Sequence, residues 1–150
     1  MNTQETVIKM LEANLPLLTN AAKSTPADKQ DWKPEATARS AREVFNEAVI
    51  MFTNTAGMLN DRKMPDTYEA TAAKYAAMSA EELIAQATTD LGVLTTAIRA
   101  FPEADFEQTM DLPWGTMSFF DIMTYPYWNM MWHAGQINYI QTLYGDQKMH

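Results

Sequence analysis

Four segments of this chain repeat their apolar residues at a period near 3.6, and that rhythm leaves little choice of fold. Residues three and four apart share one face of a helix, so each segment carries an apolar stripe that must find apolar partners. The first pattern runs from about Thr3 to Lys23, with Val7, Met10, Leu11, Leu15 and Leu18 on one face. Asn2 with Glu5 supplies its start signal, and Pro16 predicts a bend. The second opens with the capping box Ser40-Ala41-Arg42-Glu43 and continues through Val44, Ala48, Met51, Phe52, Thr55 and Leu59. The third opens the same way at Ser79-Ala80-Glu81-Glu82, and its stripe is Leu83, Ala87, Leu91, Leu94 and Ile98. The fourth begins near Ser118, with Asp121 three residues on, and runs to about Tyr144, where Gly145 supplies a C-cap. Its face includes Phe119, Met123, Met130, His133, Ile137 and Ile140. Four amphipathic helices in 150 residues predict an all-α chain, one four-helix bundle domain over residues 1–150.

The connections carry their own signals. Thr25 to Arg39 contains Pro26, Trp32 and Pro34 and reads as an ordered crossover, while Thr67 to Met78 has weak helical character through Tyr68, Ala72 and Tyr75. Phe106 to Met117 holds alternating residues and the Leu112-Pro113-Trp114-Gly115 turn, which predicts a short hairpin before the last helix or else a surface loop.

Composition excludes several classes of function. With 19 acidic residues against 11 Lys and Arg, the net charge is −8, which argues against nucleic acid as a partner because phosphate binding rests on Lys and Arg. There is no cysteine, so thiolate zinc sites and cysteine nucleophiles are absent, and only His133 and His150 are available as imidazoles. No run approaches the roughly 18 apolar residues of a membrane span. Met1 to Thr6 is polar and lacks the basic start of an export signal, so the expected location is cytoplasmic.

The informative residues are the polar ones on apolar faces. Glu47 lies three after Val44 and four before Met51, which sets a carboxylate on or beside the stripe of the second helix. Asn129, His133, Gln136 and Ile140 advance by four, three and four, so Asn129 and His133 share a face one turn apart. Such a pair with a carboxylate from a neighbouring helix is a recurring way to build a metal site in a bundle. A lone histidine on an apolar face is more often a hydrogen-bonded core residue than a ligand, and solvent or pairing with Arg42 would explain Glu47. The run Tyr125-Pro126-Tyr127-Trp128-Asn129-Met130-Met131-Trp132 is too apolar for one buried face, which predicts a second buried face against a symmetry mate, a homodimer. His150 is expected to be disordered and silent.

The Asp31-Trp32-Lys33-Pro34 segment, Arg39-Ser40 and His133-Ala134-Gly135-Gln136-Ile137, followed by Tyr139-Ile140 and Gly145, resemble the DinB/YfiT-like family along essentially the whole chain. The resemblance implies an up-down-down-up bundle with a long crossover, commonly a homodimer. It also implies a divalent metal, zinc or nickel, held by three histidines, and metal-dependent chemistry on a small-molecule substrate that uses a low-molecular-weight thiol. The family name reflects induction by DNA damage, a stress response, and is no evidence for binding DNA. Carried onto this chain, the triad falls on Glu47, Asn129 and His133, of which only His133 matches the family residue for residue. Gln136, Tyr125, Tyr127 and Trp132 are the expected supporting or pocket residues. An amide oxygen is a weak donor to zinc, so two outcomes stand open: a metal-dependent thiol transferase or hydrolase with an altered site, or a metal-free polar network in a catalytically inactive bundle that binds a ligand or a protein partner.

Overall fold

The computed structural model describes residues 2–150. Its elements are α1 (Thr3–Ser24), α2 (Ala41–Asp61), α3 (Tyr68–Ala76), α4 (Ala80–Ala100), the strands β1 (Thr109–Leu112) and β2 (Gly115–Ser118), and α5 (Phe119–Leu143). Each long helix starts where a side chain satisfies an otherwise orphaned amide. Asn2 Oδ1 accepts from the Glu5 amide at 2.9 Å, and Ser40 with Glu43, Ser79 with Glu82 and Ser118 with Asp121 form reciprocal capping boxes. Helix α1 runs on through Pro16 to Ser24 without a break.

Long-range contacts fix the helix directions. The Gln4 amide of α1 donates to the carbonyl of Phe101 at the end of α4, so α1 and α4 are antiparallel. Gln141 near the end of α5 donates to Ala21 near the end of α1, so those two are parallel. Arg39 before α2 meets Gln136 late in α5, while Arg62 after α2 lies over the rings of Phe101 and Phe119. Helix α2 therefore runs against α5 and along α4. The order is up-down-down-up, with α1 and α2 each packing on both α4 and α5.

That topology relocates the long crossover. The segment after α1 only crosses one end of the bundle, with Trp32 set edge-on to Tyr144. Parallel α2 and α4 instead require a connection that returns the length of the bundle, and residues 62–79, including α3, make it. Tyr75, the one buried residue of α3, anchors this return by donating from its hydroxyl to Asp90 Oδ2 at 2.5 Å. Gln86 donates to the other carboxylate oxygen at 2.7 Å, so Asp90, 3% exposed, has a partner on each oxygen.

The stripes read from sequence form the core: Val7, Leu11, Leu18, Val44, Phe52, Leu59, Leu83, Leu94, Ile98, Met123 and Ile137 are all buried. Removing each large side chain from water is worth about 1.5–3 kcal/mol. Met10 departs from its predicted stripe and is exposed. Of the two readings of residues 106–117, the hairpin is the one observed. Thr109 pairs with Ser118 and Leu112 with Gly115, and Gly115 takes a φ of +137° that side chains oppose. His150 is not silent either: its amide donates to Asn138 Oδ1 at 3.0 Å and its Nε2 lies 2.9 Å from Asp146. None of the described helices is long and apolar enough to cross a membrane.

Candidate functional site

Because α2 runs against α5, the first turns of α2 face the middle of α5. A cleft of about 600 Å³ opens there, lined by Arg39, Glu47, Met117, Asp121, Thr124, Tyr125, Trp128, Asn129, Trp132 and His133. Its floor is His133, 3% exposed, with buried Asn129 one turn before it. The imidazole is held at both nitrogens. Nδ1 lies 2.7 Å from Gln136 Oε1, an oxygen that can only accept, so the proton sits on Nδ1. Nε2 is then the acceptor and takes a hydrogen from Asn129 Nδ2 at 3.1 Å. Burial holds His133 below its ordinary pKa, the Gln136 bond opposes this, and the charge of Arg39 adds to the depression. At neutral pH the ring is neutral.

Glu47 points into the same volume. Its Oε2 is paired with the Arg39 guanidinium, and its Oε1 lies 3.5 Å from His133 Nε2. A second nitrogen of Arg39 donates to Gln136 Oε1 at 3.3 Å. Arg39, Glu47, His133, Asn129 and Gln136 thus form one connected network across the α2–α5 seam.

This arrangement does not fit a metal ion. The carboxylate is already neutralised by a fixed cation, and the accepting nitrogen of His133 is occupied by an amide N–H. A divalent ion would have to displace Arg39 and turn the Asn129 amide over, and it would gain one nitrogen and two oxygens, one of them a weak amide donor. Among the described residues no group of three or more His, Cys, Asp or Glu could hold a metal. One atom argues the other way: Asn129 Oδ1 is buried and has no hydrogen-bond partner.

The sequence-predicted residues divide accordingly. Glu47, Asn129, His133, Tyr125 and Trp132 come together in the cleft. Gln136 supports His133 and Arg39 from the edge and lines an adjoining groove rather than the cleft. Tyr127 does not belong to the cleft: it lies on the opposite side of α5, in a groove with Thr3, Thr6, Val7 and Met10, because two residues turn a helix by about 200°. Glu47 pairs with Arg39 and not with Arg42. Five residues separate Arg42 from Glu47, which places them on different faces, and Arg42 is engaged by Asp31, Gln30 and the Met78 carbonyl. Arg39 was invisible to helical spacing because it precedes the Ser40 cap. Its signal was its charge, next to the start of a helix that carries a carboxylate on its inner face.

Residues 10–137 match the model of the DinB superfamily. The chain belongs to the DinB superfamily. No curated protein matches it. Among solved structures it resembles a DinB-like protein, YjoA, from Bacillus subtilis, with a TM-score of 0.71, 14% identity and coverage of 97% of this chain and 96% of that one. It also resembles the mycothiol-dependent maleylpyruvate isomerase, with a TM-score of 0.66 and 11% identity over 91% of this chain. That match spans only 61% of the isomerase. At these identities the likeness speaks for the DinB fold alone.

Proposed function

We propose that this chain binds a small molecule in the α2–α5 cleft without a metal ion, as a DinB-superfamily member whose metal site has become a hydrogen-bonded network. The observation that carries this reading is the Arg39 guanidinium seated on Glu47, with both nitrogens of His133 engaged by amide side chains. Glu47 Oε2 and both nitrogens of His133 are taken up by neighbouring side chains, so two of the three groups that would face an ion are already engaged, and Asn129 Oδ1 alone is left unpaired. The cleft above it keeps an apolar wall, with Trp128 and Trp132 exposed at 69% and 70%. Occupancy by a ligand should therefore alter tryptophan emission. Compounds that shift the emission of the wild type should lose affinity in both Trp132→Ala and His133→Ala. Ligands whose affinity survives both changes would place the functional site elsewhere.

A second reading keeps the metal, and the orphaned Asn129 Oδ1 favours it. There Glu47, Asn129 and His133 hold a divalent ion, zinc or nickel, once Arg39 has moved. The enzyme is then a thiol transferase or hydrolase using a low-molecular-weight thiol, as the neighbouring isomerase uses mycothiol. The present pairing of Glu47 weighs against it.

We also infer a homodimer through α5. Beyond the cleft, Gly135, Tyr139 and Leu143 advance by four and four, and this stripe is solvent-facing along the last turns of the helix. A two-fold axis across it would let the stripe pack against itself, and one self-complementary patch is what an isologous dimer requires.

A further inference from the structure

Arg39 lines two adjoining spaces, the main cleft and the groove containing Pro34, Gln136 and Tyr139, and among the described residues it is the one Lys or Arg lining either. A guanidinium carries five N–H groups. One is spent on Glu47 and one on Gln136, which leaves three with no protein acceptor among the described residues. Arg42, three residues on, is the contrast: its guanidinium meets a carboxylate, an amide oxygen and a carbonyl, and its side chain is 24% exposed against 43% for Arg39. Arg42 staples the bundle. Arg39 is held from behind, by one side chain of α2 and one of α5, with donors left over.

From this geometry we propose that the cleft takes an apolar, aromatic-bodied monocarboxylate whose head is held by the free N–H groups of Arg39 and whose body lies along Trp132 and Trp128. The proposal rests on the cleft being the ligand site. Three features select this class. A guanidinium already fixed in direction loses little freedom on binding, and its planar fork matches a carboxylate. The chain carries a net charge of −8 and Asp121 lies at the far end of the cleft, roughly 18 Å along α5 from His133 at the helical rise. Multiply charged anions are therefore disfavoured, and a carboxylate is directed to the Arg39 end. Glu47 shares the guanidinium with the incoming head, so the charge contributes selectivity while the two tryptophans contribute most of the affinity.

The test titrates the wild-type protein with 2-naphthoate and with 2-naphthamide, which have one aromatic body and differ in the charge of the head. The carboxylate should bind about tenfold more tightly than the amide, as a charge-assisted pair does over a neutral one. Arg39→Gln should bring the two within about twofold, Arg39→Lys should keep part of the preference, and circular dichroism of each variant checks that the bundle is intact. Equal affinities in the wild type, or a preference that persists in Arg39→Gln, would overturn the role of Arg39. If the equal affinities are still lost in His133→Ala and Trp132→Ala, the cleft remains the ligand site and only its ligand class falls. No binding of either probe at millimolar concentration would overturn both.

Discussion

Two polar clusters in this bundle are made from similar parts and end differently. At the α3–α4 contact, Asp90 accepts from Tyr75 and from Gln86. At the α2–α5 seam, His133 is held by Asn129 and Gln136, with Glu47 and Arg39 beside it. The first cluster faces packed protein, and each carboxylate oxygen has its partner. The second borders about 600 Å³ of open cleft, leaves the Asn129 oxygen orphaned and leaves Arg39 with unspent donors. Satisfaction separates the two roles. A polar cluster that closes on itself fixes the fold, and one left partly open beneath a cavity is positioned to meet a ligand.

The comparison breaks most readily at the closed cluster. Tyr75→Phe removes the donor to a buried carboxylate and should cost about 2 kcal/mol. Thermal denaturation should show this as a drop of roughly 4–8 °C, with ligand affinity in the cleft unchanged. A loss of affinity with no loss of stability would reverse the roles assigned to the two clusters.

A smaller effect is expected from pH at the open cluster. The folded-state pKa of His133 is lowered, mainly by burial, so the native state binds fewer protons than the unfolded chain. The stability it contributes is complete above the ordinary histidine value of about 6.5 and is lost as pH falls through the lower folded value. Urea unfolding at about pH 7.5 and about pH 5 should show this loss, and His133→Gln should flatten it. A wild type that gains stability on acidification, with the gain absent in the variant, would mean that His133 is charged in the fold.

The smallest effect belongs to the Arg39–Glu47 pair itself. Both side chains are more than a third exposed, and such pairs contribute about 0–1 kcal/mol. Arg39→Gln should therefore leave the melting temperature nearly unchanged while altering the cleft. A collapse in stability would make Arg39 a structural residue like Arg42.

The fold was legible in the sequence because helix periodicity and capping boxes are local, and Ser40-Glu43, Ser79-Glu82 and Ser118-Asp121 form as their spacing predicts. The gathering of Glu47, Asn129 and His133 was legible for the same reason, since facing positions on two apolar stripes meet when the stripes pack. What spacing could not supply was the partner of each group. Arg39 lies outside the helix, where no period applies, and the direction of α2 against α5 decides that it reaches Gln136 as well as Glu47 of the helix it precedes. Tyr127 looked equivalent to Tyr125 in a run crowded with aromatics, yet the two lie on opposite sides of α5. The Asp90 cluster was unreadable because α3 had to be placed before Tyr75 could be assigned a neighbour.

The central claim is that the cleft works without a metal, and metal content tests it most directly. Untagged protein incubated with zinc, nickel or manganese and then desalted should retain less than about a tenth of an equivalent by elemental analysis, because Glu47 and His133 are already engaged. One equivalent retained by the wild type and lost in His133→Ala would contradict the claim and restore Glu47, Asn129 and His133 as a metal site.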